Sequence, residues 1–307
     1  MTQHKTFSEY SKDLIIDKQT SGKSDKTVKY YKDEFRVFQK WLKIVGLENQ
    51  PLVDFTPTQL REFFLFMSQP SEISIKGRNT SGRHAIYRAV RALFNWVWEM
   101  EDLDIKNPIK KVKLAPPKTP PLPEIPTDNI QAMLDYCSHR RYELRDRAII
   151  KTLFDSGVRA TELCNLSIRD IDLFTGQVTI MCGKGGKFGI TFVGQNSLSA
   201  IKGYLETRPN AKLSDPLFPN QEGNRMTYSA LRVLISRLSK LSGVPNQGVH
   251  SFRRAFALDM WRKTHDLLTV SRLLRHSNLQ VTTRYLNVNN EDLHDIHNKN
   301  SPANSLK

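Results

Sequence analysis

The 307-residue sequence has little cysteine and no long apolar run. Its three cysteines, Cys137, Cys164 and Cys182, are far apart, which excludes a disulfide framework and a cysteine-rich zinc site and fits a reducing compartment. No apolar run approaches the roughly 18 residues that a membrane-spanning helix needs. The N-terminus lacks the apolar segment of a signal peptide. We therefore expect a cytoplasmic protein without a membrane partner.

Acidic residues are too few to balance the basic ones. Only 31 Asp and Glu accompany 46 Lys and Arg, so the net charge is +15. Residues 1–111 hold 19 basic and 14 acidic residues, a net of +5, and the remainder holds 27 and 17, a net of +10. This excess indicates a polyanionic partner, with nucleic acid as the first hypothesis. An anionic membrane surface is the alternative, but neither end carries a long basic amphipathic stretch.

A proline-rich segment divides the chain. Six prolines fall between Pro116 and Pro126, within residues 112–126. Proline lacks a backbone donor and fixes φ, so the segment should be extended and semi-rigid. At roughly 150 residues per domain the length predicts two domains, and we place them at 1–111 and 127–307 with 112–126 as the linker. A proline-rich ligand for another protein is the alternative.

Hydrophobic periodicity predicts a mainly α-helical fold with one small antiparallel β-sheet. Strands over 177–181 and 189–193 alternate around a glycine-rich turn and predict a hairpin. In the first half, helices are predicted over 27–45, from Thr56-Pro57 onward, and over 81–101. In the second half they are predicted over 128–138, 142–155, 197–207, 227–241, 252–263, 267–274 and 282–286, with a further helix starting near residue 159.

The third helical segment and the residues before it are basic. Between residues 76 and 91 there are five basic side chains and no acid, namely Lys76, Arg78, Arg83, Arg88 and Arg91. Most charge runs are simply solvated surface. Because the whole chain is basic, we predict that these residues, together with Lys187 in the hairpin turn, contact DNA phosphates.

Four short motifs contain residues that could take part in catalysis: R-x-x-E, a hairpin lysine, H-x-x-R and H-x8-Y. Their members are, in chain order, Arg159 and Glu162, Lys184, His250 and Arg253, and His276 and Tyr285. Each motif has an ordinary structural explanation, such as an ion pair, an exposed turn lysine, a hydrogen-bonded histidine or a packed tyrosine. The glycine-rich turn also lacks the G-x-x-x-x-G-K-[ST] pattern of a nucleotide-binding loop. Order and spacing taken together favour one shared site.

This set of motifs resembles the tyrosine recombinase (phage-integrase-like) family. The matching segments are GVRATELCNLSIRDIDL, GKGGK, HSFRRAFAL and LLRHSNLQVTTRYLN, which all lie within residues 155–287. The resemblance implies a helical, SAM-like core-binding domain followed by a catalytic domain, in a chain of the size of Xer-type or simple integrases. It departs from many relatives after Arg253, where Arg254 stands in place of a histidine.

The resemblance also implies roles for these residues. Tyr285 would attack a DNA phosphodiester and form a 3′-phosphotyrosine with a free 5′-hydroxyl. Arg159 and Arg253 would bind the phosphate oxygens, a role that suits guanidinium groups because they stay protonated and donate two parallel hydrogen bonds.

Proton transfer needs further groups. Lys184 would protonate the leaving oxygen, with Lys187 as the local rival. His250 and His276 would bond the phosphate or help to move the tyrosine proton, since an unperturbed tyrosine has a pKa of about 10. Glu162 would orient the neighbouring side chains. Asp170 and Asp172 form a D-x-D pair that we interpret as capping or surface residues.

The resemblance implies no metal and no nucleotide cofactor. The partner would be double-stranded DNA at a specific site, in a homotetramer on two duplexes, with a monomer or weak oligomer free in the cytoplasm near the nucleoid. Leu293 and Ile296 in the last 22 residues could form a short helix that docks on a neighbouring protomer, or a solvated terminus.

Three other functions compete with recombination. A catalytically silent DNA-binding protein of the same fold would bind without cleaving. A type IB topoisomerase would relax supercoiled DNA without a preferred sequence. A transposase with a carboxylate triad would need Mg²⁺, and no such triad stands out.

Overall fold

The computed structural model describes residues 4–117, 125–181, 189–246 and 248–276, together with His294, His297, Asn298 and Ser301. The chain divides into two compact units, Met1–Pro120 and Pro121–Lys307. Several predicted features lie outside the described residues: Cys182, Lys184, Lys187, the helix over 282–286, Tyr285, and the tail residues Leu293 and Ile296.

The first unit is a helical bundle. Its α-helices are α1 (Phe7–Thr20), α2 (Asp25–Ile44), α3 (Pro57–Phe66) and α4 (Thr80–Met100). The predictions of α2, α3 and α4 are confirmed, whereas α1 was not predicted. A capping box between Thr6 and Glu9 starts α1: the hydroxyl of Thr6 accepts from the Glu9 amide, and the Glu9 carboxylate accepts from the Thr6 amide. The Thr6 and Glu9 pair matches the sequence pattern of a helix start, so α1 could have been predicted from it.

Aromatic side chains hold this bundle together. The ring of Phe38 on α2 lies 4.4 Å from that of Phe7 on α1 and 4.5 Å from that of Phe63 on α3, measured between centroids. All three side chains are fully buried, and burying each stabilises the fold by about 1.5–3 kcal/mol. Helix α4 packs on the same core through apolar residues at helical spacing, among them Ile86, Val90 and Val97.

The second unit contains both predicted hairpin strands and those of the predicted helices that fall on described residues. Its elements are α5 (Thr127–Tyr136), α6 (Glu143–Ser156), α7 (Ala160–Asn165), β1 (Gln177–Ile180), β2 (Gly189–Phe192), α8 (Gln195–Glu206), α9 (Tyr228–Leu241), α10 (Val249–Thr264) and α11 (Leu267–Leu273). The two strands pair antiparallel, with Val178 opposite Thr191. The prediction of a mainly α fold with one small antiparallel sheet is confirmed.

Side chains of α4 bind the start of the proline-rich segment. The Tyr87 hydroxyl donates to the Val112 carbonyl at 2.9 Å, and His84 Nε2 lies 2.6 Å from the Ala115 carbonyl oxygen. Val112 is buried in the core of the first unit, and Ile125 is buried in that of the second. Residues 112–115 are therefore attached to the first unit.

Two other sequence expectations concern thiols and membranes. Cys137 and Cys164 are buried and carry free thiols. Among the residues that the structure describes, no helix is long and apolar enough to cross a membrane.

Candidate active site

The site begins where α6 ends. Gly157 caps α6 in the left-handed conformation, with φ of +59°. A β-carbon at this position would lie 2.4 Å from Cδ1 of Phe256, so the position has room only for glycine. The Thr191 hydroxyl of β2 donates to the Ser156 carbonyl at 2.8 Å and ties the strand to this helix end. The chain then turns directly into Arg159.

Arg159 and Glu162 form the first half of the site. Arg159 is the residue before α7, and Glu162 lies in the first turn of that helix. The Glu162 carboxylate accepts from the Arg159 amide at 2.8 Å and from Arg159 Nη1 at 2.7 Å. Glu162 is 4% exposed, whereas the Arg159 side chain is 35% exposed. The carboxylate is therefore buried beneath a guanidinium that still reaches solvent.

Burial alone would raise the pKa of Glu162. The amide of Arg159 and the guanidinium groups of Arg275 and Arg159 stabilise the ionised form more strongly, and the pKa of Glu162 is lowered below its ordinary value. Glu162 is thus an anion at neutral pH and acts as a fixed acceptor.

Arg253 approaches from α10. It is 2% exposed, and its guanidinium donates from Nη1 to the Gly157 carbonyl and from Nη2 to the Leu274 carbonyl. These acceptors lie two residues before Arg159 and two residues before His276, respectively. Arg253 therefore joins the first and last motifs of the sequence through their backbones.

His276 follows α11 and faces this cationic cluster. Burial and the positive charges of Arg253, Arg159 and Arg275 lower the pKa of His276 to about 4, with Glu162 opposing the shift. A pKa of about 4 keeps the imidazole neutral at pH 7 in the DNA-free protein. His276 is accordingly an unprotonated imidazole with a low proton affinity, and a phosphate anion bound beside it would raise that affinity.

His250 lies on the first turn of α10, three residues before Arg253, and is exposed. Its ring centroid is 6.2 Å from that of Tyr228. Arg254, the departure from the family pattern, donates to the Ser251 hydroxyl at 2.9 Å. The structure brings Arg159, Glu162, Arg253 and His276 together. The predicted general acid Lys184, its rival Lys187 and the nucleophile Tyr285 lie outside the described residues.

Arg275 is a member of the cluster that the sequence analysis missed. Its Nη2 donates to the Glu162 carboxylate at 2.7 Å, and its side chain is 12% exposed. The sequence offers no signal for this contact, because 112 residues separate Glu162 from Arg275. Arg275 also does not stand out in the sequence, because basic residues are common along the whole chain.

The predicted DNA-contacting residues differ in their surroundings. Lys76, Arg88 and Arg91 are exposed, and the latter two lie three residues apart on α4. Arg83 is half-buried. Arg78 precedes α4 and donates to the Glu34 carboxylate at 2.7 Å, so part of its charge is already neutralised.

The described part of the chain offers no group of three His, Cys, Asp or Glu side chains that could hold a metal ion. Asp170 accepts from the Ser167 amide and Asp172 from the Phe174 and Thr175 amides, so both cap turns as predicted.

Residues 124–292 match the model of the phage integrase family. The tyrosine recombinase XerC of Escherichia coli O157:H7 is 32% identical over 218 residues, covering 70% of this chain and 72% of that protein. The XerC of Thermodesulfovibrio yellowstonii is 29% identical over 295 residues, covering 92% of each. The Tn1549 transposon integrase, solved in complex with transposon right-end DNA, superposes with a TM-score of 0.76 at 18% identity over 96% of this chain and 99% of that one. The chain therefore belongs to the phage integrase family and is a tyrosine-type site-specific recombinase.

Proposed function

We propose that this recombinase cleaves and rejoins double-stranded DNA at a specific sequence through a 3′-phosphotyrosine at Tyr285. One observation carries the proposal. Four side chains from the first, third and last sequence motifs, Arg159, Glu162, Arg253 and His276, converge on one side-chain cluster. The guanidinium groups of Arg159, Arg253 and Arg275 face one carboxylate, that of Glu162, so within the described residues their mutual repulsion is only partly offset.

A phosphodiester resolves this repulsion. Its non-bridging oxygens are negative and gain further charge in the transition state, so Arg159 and Arg253 would stabilise that state more than the ground state. Arg159 is the partly exposed guanidinium, and it would bind the phosphate through the donors that Glu162 leaves available. Losing such a contact typically lowers the rate by a factor of about 100–1,000.

The proton inventory of the reaction fits these groups. The Tyr285 oxygen forms a bond to phosphorus, the bond between phosphorus and the 5′-oxygen breaks, and the phenolic proton must leave. His276 is neutral and would accept that proton, directly or through the phosphate. Lys184 would donate a proton to the departing 5′-oxygen. Rejoining reverses these steps and conserves the phosphodiester energy in the phosphotyrosine, so no nucleotide is needed.

The proposed partner is double-stranded DNA, consistent with the net charge of +15 and with the DNA bound to the Tn1549 integrase. The N-terminal unit, residues 1–111, would serve as the core-binding domain, with the linker at 112–126 and the catalytic domain at 127–307. Its basic residues Arg88 and Arg91 would contact phosphates. Four protomers would act on two duplexes in the cytoplasm, at the nucleoid.

The test is capture of the covalent intermediate. Purified protein is incubated in EDTA with duplexes that tile the flanks of its own gene, each nicked so that the cleaved strand diffuses away. We expect a protein–DNA adduct that survives denaturant, and peptide mapping should locate it at Tyr285. Tyr285→Phe should abolish the adduct. Tyr136→Phe is the matched control, because Tyr136 stacks on His139 and belongs to none of the four motifs.

Three results would contradict the proposal. Binding without any adduct would indicate a silent DNA-binding protein. Sequence-independent relaxation of plasmids would indicate a topoisomerase. Cleavage that stops in EDTA would indicate metal-dependent chemistry.

A further inference from the structure

Arg275 has an unusual backbone for an arginine. Its φ is +55°, in the left-handed region that favours glycine. Its amide donates to the Arg272 carbonyl at 2.9 Å, and the next amide, of His276, donates to the Ser271 carbonyl at 3.1 Å. These two bonds are the Schellman arrangement that ends α11, in which the position of Arg275 is usually glycine. An arginine here disfavours the backbone conformation, so its side chain must contribute something that glycine cannot.

The side chain of Arg275 returns to the cluster instead of pointing into solvent. Nη1 donates to the Leu273 carbonyl at 3.1 Å, and Nη2 donates to Glu162 Oε2 at 2.7 Å. Its methylene groups lie against the backbone of Gly189 at the start of β2, where a β-carbon would come within 2.4 Å of Arg275 Cδ. The absence of a side chain at Gly189 is thus what makes room for the arginine.

Glu162 is held from two sides as a result. Oε1 accepts from Arg159 Nη1, and Oε2 accepts from both the Arg159 amide and Arg275 Nη2. A carboxylate bound at both oxygens cannot rotate without losing a charged hydrogen bond. The direction of the Arg159 guanidinium is set by Glu162, and the plane of Glu162 is set in part by Arg275.

We propose that Arg275 is a positioning residue for strand cleavage: it holds the Glu162 carboxylate opposite Arg159 and thereby orients the Arg159 guanidinium toward the scissile phosphate. This inference rests on the proposed function, since it assigns Arg275 a part in the same reaction. It extends the phosphate-binding machinery to a residue that does not itself need to contact DNA.

The primary test is Arg275→Gly, because glycine prefers the observed backbone and the variant should fold. Single-turnover cleavage is measured on saturating nicked duplex. We expect the rate to fall by 10- to 100-fold, with DNA affinity within threefold of the wild type. Arg275→Lys should recover part of the rate, because an ammonium group can still pair with Glu162. Arg272→Gln is the matched control, since it removes one exposed charge from the same helix end, and it should cleave at the wild-type rate.

A double variant separates positioning from direct contact. If Arg275 acts through Glu162, then Glu162→Gln combined with Arg275→Gly should be no slower than the slower single variant. Rate losses that multiply would overturn the proposal, as would a wild-type rate for Arg275→Gly or an equal loss for Arg272→Gln. Failure of the wild-type protein to form any Tyr285 adduct would instead overturn the proposed function, so the two failures are distinguishable.

Discussion

Gly157 allows the tight turn at the site because it has no side chain, and Gly157→Ala tests how much stability depends on this. The left-handed conformation of Gly157 disfavours a side chain by about 1–2 kcal/mol. The added methyl would also approach two ring carbons of Phe256 at 2.4 Å and 2.9 Å and Cδ2 of Leu274 at 3.0 Å. Overpacking of this kind costs about 1–3 kcal/mol. Together these effects predict that Gly157→Ala lowers the free energy of unfolding by about 2–5 kcal/mol.

For a unit of this size, a loss of 3 kcal/mol lowers Tm by about 6–12 °C, which differential scanning calorimetry resolves. The carbonyl of Gly157 also accepts from Arg253, so any shift of this turn should slow cleavage as well. Gly203→Ala is the matched control. Gly203 lies inside α8 with open space around it, and alanine there should raise the free energy of unfolding by about 0.5–1 kcal/mol. Equal Tm values for the two variants would refute the reasoning.

The other predictions concern protons, DNA and thiols. Burial and neighbouring guanidiniums lower the pKa of His276 to about 4 from an ordinary 6.5. Between these two pH values the unfolded chain binds more protons than the folded one, so the free energy of unfolding should rise from pH 4 to 6.5. Urea titrations of His276→Gln should lack that contribution. Arg88→Gln should weaken DNA binding and lower the salt slope by about one in fluorescence anisotropy. Arg78→Gln should change that slope less, because Arg78 pairs with Glu34; an equal loss would be contrary to this pairing. Burial raises the pKa of Cys137 to about 12 and that of Cys164 to about 11, so iodoacetamide at pH 8 should modify both only after unfolding, as mass spectrometry can follow.

Much of the fold was predictable because its helices bury one regular apolar stripe. The ends of α4 and α9 fall within one residue of the predicted bounds, 81–101 and 227–241. Helix α10 begins three residues earlier than the predicted residue 252, with Val249 as its first residue and Gly248 as its N-cap, and Gly248 offers no side-chain capping group that would have indicated this start. Helix α1 was missed although Phe7, Tyr10 and Leu14 recur at helical spacing.

The candidate site was predictable only in its composition. Motif spacing indicated Arg159, Glu162, Arg253 and His276, and local helix geometry explains the first pair. Motif spacing could not reveal that Arg253 binds two backbone carbonyls, because those carbonyls lie 96 and 21 positions away from it in the sequence. Arg275 was not predicted for a similar reason. Its contact with Glu162 depends on a left-handed backbone conformation, and an arginine in the sequence does not indicate that conformation.

The attachment of residues 112–115 to α4 has a consequence for protein engineering. Residues inserted between Val112 and Ala115 would change the spacing of the two carbonyls that bind Tyr87 and His84. Residues inserted after Pro117 would leave both bonds in place. An insert of glycine and serine residues would itself be flexible, and doubling the length of such an insert costs only about 0.6 kcal/mol in closure entropy. A series of variants with inserts of increasing length at that point would lengthen the proposed linker and leave both described bonds in place. Recombination yield as a function of insert length would then measure how strongly activity depends on the spacing between the two units.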